Sequence, residues 1–259
     1  MCRKAAMVMF MACVWGGLVS SSMGCTGAQN KKKDLNDIQD ADWHYKSGAG
    51  YFEGHQVPLA IRELHIALKK DPNHVKAHYL LGFIYMGRRQ YNKSVMHFKK
   101  VIELEPTAYD AKNSLGATYL AMERWNDAIE LFEELLEEPM FTTPELAHNN
   151  AGWAYYNLKD NQTALEHFKM SVFLKPEFCL GYNNLGLAHD ALNQRQEGMK
   201  AYKKAIELCP TNYAEPHFHL AKSYLDYGDH TTARLHFTRC VEIGGGSDLG
   251  ERCQEYLNY

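Results

Sequence analysis

The sequence predicts an all-α solenoid, a row of six helical hairpins closed at its C-terminal end by one more helix. Three regularities across 259 residues predict it. A small residue returns at intervals of 34 to 36 positions, at Gly48, Gly82, Gly116, Gly152, Gly186 and Ala221. Three residues after each stands Tyr51, Tyr85, Tyr119, Tyr155, His189 or Tyr224, and nine further on Ala60, Ser94, Ala128, Ala164, Gly198 or Ala233. Leu64, Phe98, Phe132, Phe168, Tyr202 and Phe237 follow four residues later still. A fixed period of this length marks supersecondary units that bury their apolar faces only by stacking on one another.

Composition agrees with an ordered chain: 46% of residues are hydrophobic, 23% charged, and only 8 are proline. A net charge of -3 is no footprint for nucleic acid, which calls for a basic stripe.

The elements follow in order. Residues 1–24 read as a signal peptide: Arg3 and Lys4 precede an apolar stretch from Ala5 to Val19 that is too short to span a bilayer. Gly24 before Cys25 resembles the lipobox of bacterial lipoproteins, which implies acyl chains on Cys25 and an outer-membrane anchor facing the periplasm. Each buried methylene contributes about 0.8 kcal/mol, so several chains hold a protein firmly at a leaflet. Residues 25–40, polar and carrying Lys31, Lys32 and Lys33, are expected to form a flexible tether with a reach of about 20 Å.

The hairpins occupy 41–74, 75–108, 109–144, 145–178, 179–213 and 214–247. Where Gly82 faces Ser94 two backbones can approach closely, while Tyr85 and Phe98 fill the remaining groove. Pro72, Pro106, Pro139, Pro176 and Pro210 lack the amide donor for a further turn and end successive units. The third unit carries two extra residues around Met140 to Pro144, read as a bent loop or a contact loop. Residues 248–259 place Leu249, Cys253, Tyr256 and Leu257 at helical spacing and read as a capping helix. The spacing of small, tyrosine, alanine, phenylalanine and proline positions resembles the tetratricopeptide repeat. That resemblance implies a right-handed superhelix whose concave surface is lined by the first helix of each hairpin.

In this register Cys179 opens and Cys209 closes the fifth hairpin, while Cys240 and Cys253 belong to the sixth hairpin and its cap. The pairs Cys179 with Cys209 and Cys240 with Cys253 are geometrically accommodated as disulfides in an oxidising compartment. Four buried free thiols are the alternative.

No motif for hydrolysis, phosphate binding or dinucleotide binding is present, and the 13 histidines fall at no metal-ligand spacing. No catalytic residue, cofactor, metal or small-molecule substrate is therefore expected, and the chain reads as a binding protein rather than an enzyme. Positions two, five, nine and twelve of the first helices share one face. That face gives Tyr79, Phe83 and Met86, then Asn113 and Leu120, then Asn149, Trp153 and Tyr156, then Asn183 and Leu187. The expected groove is apolar and aromatic with a ladder of amides, which can both donate to and accept from a partner's backbone.

A lipobox followed by six such repeats and the segment from Thr143 to Asn157 (TPELAHNNAGWAYYN) is similar to the outer-membrane pilotins of type IV pili, the PilF, PilW and Tgl class, and to Tgl above all. The resemblance implies a lipoprotein that helps subunits of the pilus secretin, PilQ, to assemble in the outer membrane, and so supports twitching or social gliding motility. A general envelope scaffold for peptidoglycan or lipoprotein machinery is the alternative.

Overall fold

The computed structural model describes residues 26–258, with side chains placed from Asp40 onward. Residues 1–24, expected to be a signal peptide, and Cys25 lie outside the described residues. Every regular element among those described is a helix. They pair as hairpins: α1 (Thr26–Glu53) with α2 (Val57–Lys70), α3 (Val75–Gly87) with α4 (Tyr91–Leu104), and α5 (Tyr109–Ala121) with α6 (Trp125–Leu136). Then come α7 (Pro144–Asn157) with α8 (Asn161–Leu174), α9 (Cys179–Ala191) with α10 (Arg195–Leu208), and α11 (Glu215–Asp226) with α12 (His230–Gly244). Finally α13 (Asp248–Leu257) covers α12. None of these helices is long and apolar enough to cross a membrane.

Each hairpin is built on one crossing. A methyl group added at Gly116 would sit 2.7 Å from the Phe132 ring, and at Gly82 or Gly152 it would sit 2.8 Å from Phe98 or Phe168. These rings have no solvent exposure. The ring occupies the volume a side chain would take, which brings the two helix axes together. Tyr202 does the same over Gly186, and Leu64 over Gly48. The turn between the paired helices is also repeated. His55, Arg89, Glu123, Lys159, Asn193 and Gly228 all adopt left-handed backbone conformations at the same place in their hairpins. That geometry turns the chain back within three residues, and five non-glycine residues accept its steric cost of about 1–2 kcal/mol each.

First helices approach one another across hairpins, α1 with α3, α3 with α5, α5 with α7 and α7 with α9, to an extent the second helices do not match. The stack therefore curves toward its first helices, which line the concave side.

The expected tether is corrected by α1, which runs unbroken from Thr26. Between Ala28 and Lys46 there is no glycine or proline, and alanine, glutamine, lysine and leucine all favour helix. The fifteen residues to Asp40 extend the first hairpin by about 22 Å of helix. The extra residues of the third hairpin form a loop that turns Phe141 into the core against Tyr109, ring centres 6.4 Å apart, and leaves Met140 exposed.

Two disulfides tie the C-terminal part. Cys179 at the start of α9 meets Cys209 at the end of α10, and the buried Cys240 of α12 meets Cys253 of α13, each with Cα atoms 6.1 Å apart. They fix the open ends of the fifth hairpin and hold the cap down.

Three outcomes are expected from this packing. Gly116→Ala forces the Phe132 ring off its seat and lowers stability by about 1–3 kcal/mol in urea titration. Gly50→Ala, with open space around it, raises stability by up to about 1 kcal/mol. Reduction of both disulfides lowers the urea midpoint, by about 2–4 kcal/mol for each bridge that constrains the unfolded chain, and amide exchange rises first in α13.

Candidate functional site

The concave face carries a cavity of about 660 Å³ in its N-terminal half. Its walls come from three first helices: Tyr45 and Phe52 of α1, Tyr79 of α3, and Tyr109 of α5. Met140 and Phe141 of the third-hairpin loop close its far side. Helical spacing puts Tyr45 and Phe52 seven residues apart on one face, so both look the same way. Phe83, one turn beyond Tyr79, meets Phe52 edge-to-face at 6.0 Å and is 45% exposed. Glu53, Glu105, Asp110 and Lys76 stand among these rings and give the mouth an acidic balance. Tyr109 donates its hydroxyl to Glu138 Oε2 at 2.9 Å, and that bond to a carboxylate holds the phenol above its ordinary pKa.

The sequence-derived lining divides into two groups. Tyr79, Met86, Leu120, Trp153, Tyr156 and Leu187 are half-buried, and Phe83 is exposed. Trp153 and Tyr156 stack on each other with centres 5.7 Å apart. The ladder of open amides is corrected: Asn149 and Asn183 are each only 4% exposed. Asn149 accepts a 2.9 Å hydrogen bond from Asn184 Nδ2 on the next hairpin, so this amide pair joins hairpins four and five rather than facing solvent. Asn113 is half-buried, with its Oδ1 buried and unpartnered. The reason is the closeness of neighbouring first helices, which seal the fifth position in the C-terminal hairpins while leaving the ninth more open.

Tyr45, Phe52, Tyr109, Met140 and Phe141 belong to the site without appearing in that lining. The first hairpin obeys the same register as the others, so Tyr45 and Phe52 were legible from it. The two extra residues were the only signal for the loop. Two carboxylates of α6 are engaged: Glu134 receives Lys112 Nζ at 2.6 Å, and Glu133 receives the Tyr155 hydroxyl at 3.3 Å. Among the described residues no group of three histidine, cysteine or carboxylate side chains converges as a metal site.

What this arrangement can do is hold an extended or helical polypeptide against stacked rings, with backbone and rim charges setting its orientation. The chain is a tetratricopeptide-repeat protein: models of that repeat match residues 75–107, 113–177 and 179–212, together about half of it. Solved structures share the fold. The type IV pilus biogenesis factor PilW, described as widely conserved, aligns with TM-score 0.74 and 18% identity, over 83% of this chain and 98% of that one. PilF of Pseudomonas aeruginosa aligns with TM-score 0.70 and 16% identity, over 85% and 99%. The MamA protein aligns with TM-score 0.59 and 26% identity, over 66% and 92%. Among curated proteins, the heat shock protein STI1 of Saccharomyces cerevisiae is 36% identical over 73 residues, 28% of this chain and 12% of STI1. The matched stretch thus spans about an eighth of that relative.

Asn149→Ala leaves the Asn184 amide buried without its acceptor and lowers stability by about 1–3 kcal/mol in thermal or urea unfolding. An amide that served only a partner would change binding and leave the unfolding midpoint in place.

Proposed function

We propose that this protein is a pilotin, a lipoprotein held by acyl chains on Cys25 at the periplasmic face of the outer membrane. Its concave face binds segments of the type IV pilus secretin, PilQ, and promotes assembly of the secretin pore. Pilus extension and twitching or social gliding motility depend on that pore. No covalent step is needed. Anchoring confines array and secretin subunits to one surface, and effective concentration does the rest.

The observation that carries this reading is the extent of the fold likeness, which takes in 98% of PilW and 99% of PilF. The concave cavity supports it, since its rings offer anchor sites for a polypeptide. The N-terminal sequence from Arg3 to Cys25 supports the anchor.

The test replaces Tyr79 and Phe83 together with alanine in cells and measures heat-resistant secretin multimers. Circular dichroism of the purified variant checks that the array is intact. Losing two anchors of about 1–2 kcal/mol each weakens binding by roughly thirtyfold to a thousandfold, so multimers fall sharply. Unchanged multimers with a folded variant remove the groove from the mechanism. A Cys25→Ala variant is expected to leave the outer-membrane fraction, and one that still sediments there contradicts the anchor.

A further inference from the structure

Three hairpins contain a pair of buried or half-buried imidazoles in the same place. His78 of α3 faces His97 of α4, His148 of α7 faces His167 of α8, and His217 of α11 faces His236 of α12. Each pair is separated by nineteen residues, with Nδ1 atoms 2.9, 3.1 and 2.9 Å apart. In hairpins two and four the second histidine directly precedes the ring seated on the glycine of the helix crossing, and in hairpin six it precedes Phe237, buried in one cluster with Ala221. A tyrosine of the first helix, Tyr85, Tyr155 or Tyr224, stacks on that second imidazole.

Two nitrogens at this distance hold one proton between them. In the second hairpin the protonation pattern follows from the partners. Pro72 O can only accept, so His78 Nε2 donates to it at 3.1 Å. A neutral His78 then presents a bare Nδ1, His97 Nδ1 donates, and His97 Nε2 is left buried with no partner. In the fourth hairpin His167 Nε2 lies 3.3 Å from Glu133 Oε1 on α6, so His148 is the donor within that pair. A second proton on any pair turns a hydrogen bond into two N–H groups pointing at each other.

We infer that these three pairs form a proton-operated latch, closing hairpins two, four and six at neutral pH and opening them on acidification.

The surroundings reinforce this direction. His97 faces His65, Lys93 and His78, and burial holds it at about 4. His78 also faces Lys100, His74 and Asp71, of which only Asp71 favours its charge. Burial holds His148 at about 4, and burial outweighs the Glu133 carboxylate at His167. His217, beside His236, Arg239 and Glu242, is likewise at about 4, and His236 faces Lys203 of α10. A base whose folded pKa is depressed contributes stability that is complete above the unfolded value of about 6.5 and is lost as pH falls toward 4. For one ring held at about 4, the loss at pH 5 is on the order of thirtyfold in the opening equilibrium.

The remaining hairpins behave differently. Hairpin one pairs His44 with Glu63 at 2.7 Å, and hairpin three pairs Lys112 with Glu134. Hairpin five has Asp190, held above the ordinary carboxylate range by burial while accepting from Tyr202 at 2.7 Å. Acid neutralises that buried charge and does not strain its hairpin. His219 of α11, also at about 4, faces Lys222 and Arg252 and stacks on Tyr202 of α10, so it adds to the acid sensitivity of hairpin six where it meets hairpin five.

Amide hydrogen exchange of the mature protein, corrected for intrinsic rates and compared from pH 7 to pH 4.5, tests the latch. Hairpins two, four and six are expected to lose protection at least tenfold more than hairpins three and five. The variant His97→Asn, His167→Asn and His236→Asn leaves in each pair an amide that can either donate to or accept from the first-helix imidazole, so a second proton no longer sets two N–H groups against each other, and it is expected to flatten the difference in hairpins two and four. Equal loss in all hairpins of the wild type overturns the latch, whether or not the variant folds. The same ordering in a folded variant overturns it too.

Discussion

A ring seated on a bare Cα is the contact from which this structure is built. Phe98 on Gly82, Phe132 on Gly116 and Phe168 on Gly152 each set how closely the two helices of a hairpin cross. Stacking of the hairpins so formed brings their first helices together, and the concave cavity lies on that side. The polar pairs of histidines lie one residue away from the same seats, so what loosens them also loosens the crossing. Fold, groove and acid response thereby share one structural origin.

The regular part of this design was open to reading from the residues. Period, small positions and ring positions give the helices and their pairing, because a seat and its occupant must recur together. Faces were legible in part: Tyr79 lines the concave cavity and Phe83 meets Phe52 beside it, while Trp153 and Tyr156 stack on each other half-buried. Depth was not. Spacing shows which way Asn149 points but not how closely α9 closes over it, and Asn184 takes up its amide oxygen. Irregular segments were also hidden. A polar stretch with three lysines reads as a tether by composition, yet from Ala28 to Lys46 there is no glycine or proline, and α1 continues through it. Phe141 turns inward because Tyr109 and its neighbours leave an apolar space there, which no local pattern announces. The histidine pairs are separated by nineteen residues on two helices and become visible only when the crossing is known.

The two halves of the array differ in character. The N-terminal half holds the open aromatic cavity and the extended first helix. In the C-terminal half, buried amides and two disulfides fix the spacing of the hairpins. A firm C-terminal half holds the shape of the curve, while the open half presents rings to a partner. That division suits a protein whose proposed task is to hold another chain rather than transform it. The outer side is not featureless, since Phe173 on α8 is 77% exposed, and it offers an internal comparison for any claim about the inner one.

The most direct measurement places a photo-crosslinking residue at position 83 on the concave side or at position 173 on the convex side, in cells assembling pili. The account predicts a secretin adduct from position 83 and none from position 173. An adduct from position 173 alone would contradict it, because the partner would then ride on the outer face and the cavity would stand idle.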